Sequence, residues 1–117
     1  MKVNFNVALK NGKGQDTYEE MESFIDGKKV FRYEKIMIKD LVSNSLYAGT
    51  TLDYTNDEEK DAAIKRRAYR LSQKVSNADG PIDITPEEIC MIKKCAIGYR
   101  QAGTYQQIID LVTEEDN

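Results

Sequence analysis

Histidine and tryptophan are absent from this 117-residue chain, and cysteine and proline occur only twice each. Without histidine, no side chain with an ordinary pKa near 7 is present to act as a general base or to activate a serine or cysteine nucleophile. Most zinc sites also need histidine or more than two cysteines. We therefore expect a protein that is not an enzyme and has no catalytic residues, no metal and no cofactor.

Long hydrophobic runs are missing as well. No stretch approaches the roughly 18 consecutive apolar residues of a membrane span. The alternating first 14 residues lack the apolar segment of a signal peptide. We expect a cytoplasmic protein with no membrane partner and a single domain over residues 1–117, ending in an acidic frayed tail at residues 114–117.

Hydrophobic periodicity in the N-terminal part predicts a small β element. Residues 2–9 alternate apolar and polar side chains, as half-buried strands do, and residues 11–14 (Asn-Gly-Lys-Gly) indicate the turn that ends this strand. Residues 28–33 favour a second strand, which we expect to pair with the first. Residues 16–26 fit a short helix, although the choice between helix and strand stays open across residues 16–33.

The rest of the chain carries the spacing of amphipathic helices. One runs over about residues 36–49 and ends at a glycine, and the next runs over about residues 57–75. A third begins at Thr85 with the residues of a capping box and a proline at its first position. A last helix is expected to begin with a Thr104–Gln107 capping box. The prediction is an α+β fold, a short N-terminal antiparallel β element packed on three to four helices.

The sharpest charge feature is a basic cluster in the second predicted helix. Lysine and arginine total 17 against 20 acidic residues, and the net charge of −3 disfavours nucleic-acid binding over the whole surface. Arg66, Arg67, Arg70 and Lys74 nevertheless share about 100° of this helix. Such a face can bind an acidic protein, a phosphorylated ligand or a nucleic-acid backbone. It can equally be a solvated face balanced by acids in the preceding turns, and both interpretations stay open.

Tyrosine and cysteine give two further hypotheses. Seven tyrosines are many for this length, and tyrosine suits an interface because it joins apolar area to a polar tip. The candidate interface residues are Tyr47, Tyr69, Tyr99 and Tyr105, although half-buried core edges would give the same pattern. Cys90 and Cys95 lie about 140° apart on one predicted helix, so we interpret them as unbonded, buried or half-buried thiols in a reducing compartment.

Residues 80–89 read Gly-Pro-Ile-Asp-Ile-Thr-Pro-Glu-Glu-Ile and are followed by Ile-Lys-Lys at 92–94 and a closing Ile-Ile-Asp-Leu-Val helix. This pattern resembles small accessory proteins encoded by tailed bacteriophages. The resemblance covers roughly residues 2–9 and 36–112, with residues 15–33 as an insertion. It implies a small, often self-associating protein that works by binding, and it transfers no catalytic or binding residue.

The leading hypothesis is a phage-type accessory binding protein, a homo-oligomer in the host cytoplasm. It would occupy or sequester a host component through the basic helix face or the tyrosine-bearing surface. Its expected partners are a second copy of itself and a host protein or small phosphorylated ligand. A structural or assembly accessory protein of a phage particle is the first alternative, and a nucleic-acid-associated protein is the second. A chain with one modest core gains burial by self-association.

Overall fold

The computed structural model describes residues 1–113 as two antiparallel β pairs and four helices. The elements, in chain order, are β1 (Lys2–Val3), β2 (Tyr18–Ile25), β3 (Lys28–Lys35), α1 (Ile38–Ala48), α2 (Glu58–Ser76), β4 (Ile82–Asp83), α3 (Pro86–Ala96) and α4 (Ala102–Leu111). The predicted α+β fold is therefore confirmed. None of these helices is long and apolar enough to cross a membrane. The expected acidic tail lies outside the described residues.

The N-terminal segment keeps its predicted alternation but forms a much shorter strand. Val3, Phe5 and Leu9 are buried, as the alternation requires. β1 pairs with β4, with Val3 opposite Ile82. The expected pairing with residues 28–33 is wrong, because that strand pairs with its neighbour in sequence, whose closure costs less loop entropy.

Residues 16–26 contain a strand where a short helix was expected. β2 and β3 pair along their whole length, from Tyr18 opposite Lys35 to Ile25 opposite Lys28. The connecting residues Asp26 and Gly27 have φ angles of 53° and 74°. Two consecutive positive φ angles are typical of the tight type I′ hairpin turn, for which Asp-Gly is a preferred pair. The preference of this turn for a hairpin outweighs the helical spacing of residues 16–26.

A local signal marks one end of each of the first three helices. Gly49 ends α1 in the left-handed conformation, with φ of 62°. Asp57 caps α2 by accepting hydrogen bonds from backbone N–H groups of the first turn. Thr85 and Glu88 form the predicted capping box of α3. These positions confirm that caps and terminators in the sequence fix the helix boundaries.

The start of α4 differs from its prediction. Gln101 is the N-cap residue and Ala102 the first helical residue, so Thr104 lies within the first turn and is buried. The predicted Thr104–Gln107 capping box is therefore wrong. Gln107 instead contacts the N-terminal segment: the Lys10 N–H donates to its Oε1 at 2.8 Å, and its Nε2 donates to the Lys10 carbonyl at 3.0 Å. The side chain of Gln107, which the local motif assigned to capping, thus forms a long-range contact with Lys10 instead.

One hydrophobic core joins the helices to the N-terminal segment. Its largest fully buried side chains are Phe5, Leu46, Ile92, Ile108, Val42, Val75 and Val112. α2 has the apolar stripe of an amphipathic helix, since Ala68, Leu71 and Val75 are buried and Ile64 is partly buried. No described member of the core comes from residues 18–35. The β2–β3 hairpin therefore projects from the body, and the radius of gyration of 16.1 Å exceeds the roughly 13–14 Å of a compact chain of this length.

Candidate functional site

The four predicted basic residues of α2 lie in two different environments. Arg66, Arg67 and Arg70 are exposed, and none of them forms an ion pair with another residue in the range 1–113. Lys74 does form one, since its Nζ lies 3.1 Å from Oε1 of Glu88 on α3. The three guanidinium groups thus face solvent, whereas Lys74 is held in an ion pair with Glu88.

Glu88 serves both the start of α3 and the contact with α2. Its carboxylate accepts hydrogen bonds from the Thr85 backbone N–H at 2.9 Å and from Lys74 Nζ at 3.1 Å. Partial burial alone would raise the pKa of Glu88, but these hydrogen bonds outweigh burial and leave the pKa below its usual value. Glu88 is therefore ionised at neutral pH, and it keeps Lys74 directed toward α3.

A groove of about 450 Å³ lies between α2 and the beginning of α3. It is lined by Arg67, Arg70, Leu71, Lys74, Thr85, Glu87, Glu88 and Met91. The basic residues at 67, 70 and 74 share one wall because they are three and four positions apart on α2. The two glutamates share the other wall because they occupy the first turn of α3, where the helix dipole favours carboxylates. Arg66 lies outside the groove.

The lining gives the groove a defined chemical character. Met91, which is partly buried, and the largely buried Leu71 add apolar lining to the charged groups. The Arg67 and Arg70 guanidinium groups can each hold a carboxylate through two parallel hydrogen bonds. Glu88 is paired with Lys74, so the Glu87 carboxylate is the one on this wall that repels a polyanion filling the groove. The site therefore fits a ligand that carries carboxylates beside an apolar group.

The opposite wall of this groove was not identified from the sequence. In the sequence, Glu87 and Glu88 are typical of the first turn of a helix, and nothing marks Met91 as a binding residue. Their approach to Arg67 and Arg70 depends on how α2 packs beside α3. The one local signal was the acidic first turn of α3, which follows α2 after a short connection.

The four candidate interface tyrosines do not form one surface. Tyr47 on α1 and Tyr69 on α2 are 73% and 48% exposed, and their ring centroids lie 6.1 Å apart. Tyr99 instead donates a hydrogen bond to the Leu41 carbonyl at 2.6 Å. Tyr99 and Tyr105 both pack against the core as partly buried side chains. Tyr47 and Tyr69 are thus placed together at the surface, and the other two lie at the edge of the core.

The two cysteines are unbonded and lie in different environments. Cys95 is buried, and burial raises the pKa of its thiol to about 11 against the opposing effect of a hydrogen bond with Thr51. Cys90 is exposed, so the expectation that both are at least half-buried is wrong for this residue. Their separation on α3 turns them to different sides of the helix. Within residues 1–113, no group of three or more histidine, cysteine, aspartate or glutamate side chains could hold a metal ion.

The hairpin carries an exposed apolar surface that sequence reasoning missed. The register of β2 and β3 places Tyr18, Phe24, Phe31 and Tyr33 on the same side of the hairpin, and we call this side the aromatic face. Each of these four side chains is at least half exposed. The Asp-Gly turn was the one sequence signal that could have revealed this face, because it fixes the register.

Comparison with known proteins identifies no relative of this chain. No family model matches it, and neither a curated protein nor a solved structure matches it. The phage-type origin implied by the resemblance of residues 80–112 therefore stays a prediction, as do the expected cytoplasmic location and the absence of enzyme activity.

Proposed function

We propose that this protein is a non-enzymatic binding protein whose α2–α3 groove takes an acidic segment of another protein. One observation carries this function: Arg67 and Arg70 line the groove, and neither has an ion-pair partner within residues 1–113. Neighbouring Lys74 is neutralised by Glu88, so the two arginines are the positive groups in the groove that remain for a ligand.

The apolar part of the lining supports a peptide over a small anion. Most of the exposed lining of the groove is apolar, with Met91 only partly buried, and this surface would remain wet under an ion that bound the arginines alone. A peptide with a large apolar side chain beside its carboxylates covers this surface and gains from its burial. Binding sites between proteins commonly combine an apolar centre with charged groups at the rim.

The acidic wall supports a protein partner over nucleic acid. Glu87 lies across the groove from the arginines, and Glu88 is already paired with Lys74. A phosphate backbone or multiply phosphorylated ligand would therefore meet the Glu87 carboxylate at close range. The net charge of −3 also opposes long-range attraction of a polyanion. A host protein occupied by a phage-type accessory protein is the source we propose for the acidic segment, in line with the resemblance of residues 80–112.

Selection from a peptide library tests this function without knowledge of the partner. Random short peptides displayed on mRNA are panned over the immobilised full-length chain. In parallel they are panned over an Arg67→Glu/Arg70→Glu variant and over a Lys13→Glu/Arg100→Glu control. The control changes the net charge equally at exposed positions outside the groove. We expect the wild type and the control to enrich peptides that combine aspartate or glutamate with a large apolar residue.

The groove variant decides the outcome of the selection. We expect it to lose this enrichment, because reversed charge at positions 67 and 70 repels the carboxylates. If the groove variant enriches the same peptides as the wild type, or if no acidic motif emerges on the wild type, the groove is not an acidic-peptide site. Enrichment that is lost on both variants alike would reflect net charge rather than the groove.

A further inference from the structure

The β2–β3 hairpin presents an unpaired β edge on each side. The sheet that contains β2 and β3 has two strands within residues 1–113, so the outer edge of each strand has no partner strand there. Phe24 and Tyr33 on this hairpin are 74% and 70% exposed. A lone two-stranded hairpin is marginally stable in water, and its unpaired N–H and C=O groups can pair with a further strand.

The outer edge of β2 opposes pairing with the same strand of a second copy. When two identical strands pair antiparallel about a two-fold axis, opposing residues share a face of the sheet. Two registers of this kind pair the most residues of β2. With the two-fold axis at Met21, Glu20 lies opposite the partner's Glu22, and with the axis at Glu22, this residue lies opposite its own copy. Like charges directly opposite each other destabilise a β pair. The sequence of β2 therefore keeps this strand on the outside.

The outer edge of β3 offers a register without this conflict. With the two-fold axis at Phe31, that residue lies opposite its own copy and Lys28 lies opposite the partner's Glu34. On the aromatic face, Lys29 lies opposite the partner's Tyr33, where a cation–π contact can form. Aromatic pairs and opposite-charge pairs both stabilise neighbouring strands. This register brings no two like charges opposite each other within β3.

The other long register of β3 is disfavoured. Moving the two-fold axis by one residue to Arg32 places this guanidinium opposite its own copy. The same shift brings Lys29 opposite the partner's Lys35. Both contacts are repulsive, so the charges of β3 select the register at Phe31 over its neighbour.

We propose that the protein forms a homodimer in which β3 pairs antiparallel with β3 of a second copy, with Phe31 on the two-fold axis. The two hairpins then form one four-stranded antiparallel sheet with a β2 strand at each edge. The edges of β3 gain main-chain hydrogen bonds, and the two aromatic faces lie side by side on the same face of the sheet. Pairing at β3 does not involve the α2–α3 groove. The proposed dimer is therefore independent of the proposed binding of an acidic peptide.

Sedimentation equilibrium of the full chain over a wide concentration range tests the dimer. We expect the mass to approach twice 13.4 kDa. Phe31→Lys is expected to leave a monomer, because it places two ammonium groups together at the axis. The same change sets a lysine opposite Glu22 within the hairpin, which supports the hairpin of the single chain. A wild type that stays monomeric, or a mass that grows past the dimer, would overturn the two-fold pairing.

A charge swap tests the register itself. Lys28→Glu and Glu34→Lys each create a like-charge pair at two symmetric sites, and each is expected to raise the dimer dissociation constant about tenfold or more. The double variant Lys28→Glu/Glu34→Lys restores opposite charges and is expected to recover most of the wild-type affinity. Lys13→Glu, outside the hairpin, serves as the control and should leave the dimer unchanged. Failure of the double variant to recover affinity would contradict this register.

Two further measurements keep the outcomes distinct. Circular dichroism at a fixed temperature below unfolding reports the helix content of the body, to whose core the hairpin contributes no residue, and this content should be unchanged in every hairpin variant. Arg67→Glu/Arg70→Glu should dimerise like the wild type even though its groove is disabled. Dimers that survive Phe31→Lys in a folded protein would place the interface elsewhere and refute this surface.

Discussion

The Nζ of Lys74 lies 3.1 Å from Oε1 of Glu88, and this ion pair joins α2 to the first turn of α3. The same carboxylate accepts a hydrogen bond from the Thr85 backbone N–H. One residue therefore caps a helix, links two helices and neutralises the lysine at one end of the groove. Arg67 and Arg70 are left as the positive groups of that groove without an ion-pair partner among residues 1–113.

Glu88→Gln isolates the ion pair from the cap. Glutamine can keep the capping-box hydrogen bond to Thr85, so the variant loses mainly the charge that faces Lys74, and we expect a loss of about 0.2–1 kcal/mol in the free energy of unfolding. Lys74→Met in the Glu88→Gln background should cost less than Lys74→Met alone. Urea unfolding of the four proteins of this double-mutant cycle measures the pair, and additive effects would show that it contributes nothing.

The pKa of Glu88 also sets a pH dependence. Because this pKa is lower in the folded state than its ordinary value of 4.5, the unfolded state binds the proton more readily. The stabilisation is complete above the unfolded pKa and is lost as the pH falls through the lower folded pKa. Wild type should lose more stability than Glu88→Gln between neutral pH and that acidic window. Equal losses in urea unfolding across this range would contradict the shift.

Tyr99 and Tyr47 should respond differently to loss of their hydroxyl groups. Tyr99 donates to the Leu41 carbonyl at 2.6 Å in a partly buried setting, so Tyr99→Phe is expected to lower the free energy of unfolding by about 1 kcal/mol. Tyr47 is 73% exposed, and Tyr47→Phe should leave stability within about 0.5 kcal/mol of the wild type. Thermal or urea unfolding compares them, and equal effects would contradict their separation into core-edge and surface residues.

The two thiols should react at very different rates. Cys90 is exposed, whereas Cys95 is buried and the pKa of its thiol is raised to about 11. Since the thiolate is the reactive form, Ellman's reagent should label one thiol quickly in the folded chain and the second only after denaturation. Cys90→Ser should abolish the fast phase. A fast phase that persists in this variant would show that Cys95 is accessible.

Two glycines should respond to alanine with opposite signs. Gly49 has φ of 62°, and a Cβ there would lie 2.9 Å from the Tyr54 hydroxyl oxygen, so Gly49→Ala is expected to cost about 1 kcal/mol or more. Gly103 lies in α4, and a Cβ there would meet nothing within 4 Å. Gly103→Ala should therefore stabilise by up to about 0.5–1 kcal/mol. Urea unfolding of both variants checks the signs.

The parts of the fold that the sequence predicted correctly depend on local signals. The left-handed stop at Gly49 and the capping box at Thr85 act within a few residues, so periodicity and caps located α1 and α3. α4 was misplaced because Gln107 binds Lys10, 97 positions away in the sequence. The hairpin was misassigned because the helical spacing of residues 16–26 competed with the Asp-Gly turn that decides the structure.

In the candidate site, too, the sequence predicted the part that depends on local spacing and missed the part that depends on packing. The basic wall was found because Arg67 and Arg70 lie a single turn apart on one helix. The acidic wall and the Met91 contact arise from the packing of α3 beside α2, which no local pattern encodes. Arg66 shares the charge cluster in sequence but lies outside the groove lining, because neighbouring positions on a helix diverge by about 100°. The charge cluster in the sequence thus identified the helix that carries the basic wall. The structure shows which of its basic residues line the groove.

The affinity of an acidic peptide for the groove measures the contribution of Arg67 and Arg70 to binding. A fluorescently labelled peptide enriched on the wild type is titrated with wild type, with Arg67→Glu/Arg70→Glu and with the Lys13→Glu/Arg100→Glu control, and fluorescence anisotropy is recorded. Charge-assisted hydrogen bonds contribute roughly 1.5–3 kcal/mol each, so the groove variant should bind at least about tenfold more weakly, while the control retains wild-type affinity. Equal affinity for wild type and groove variant would show that Arg67 and Arg70 do not recognise the peptide.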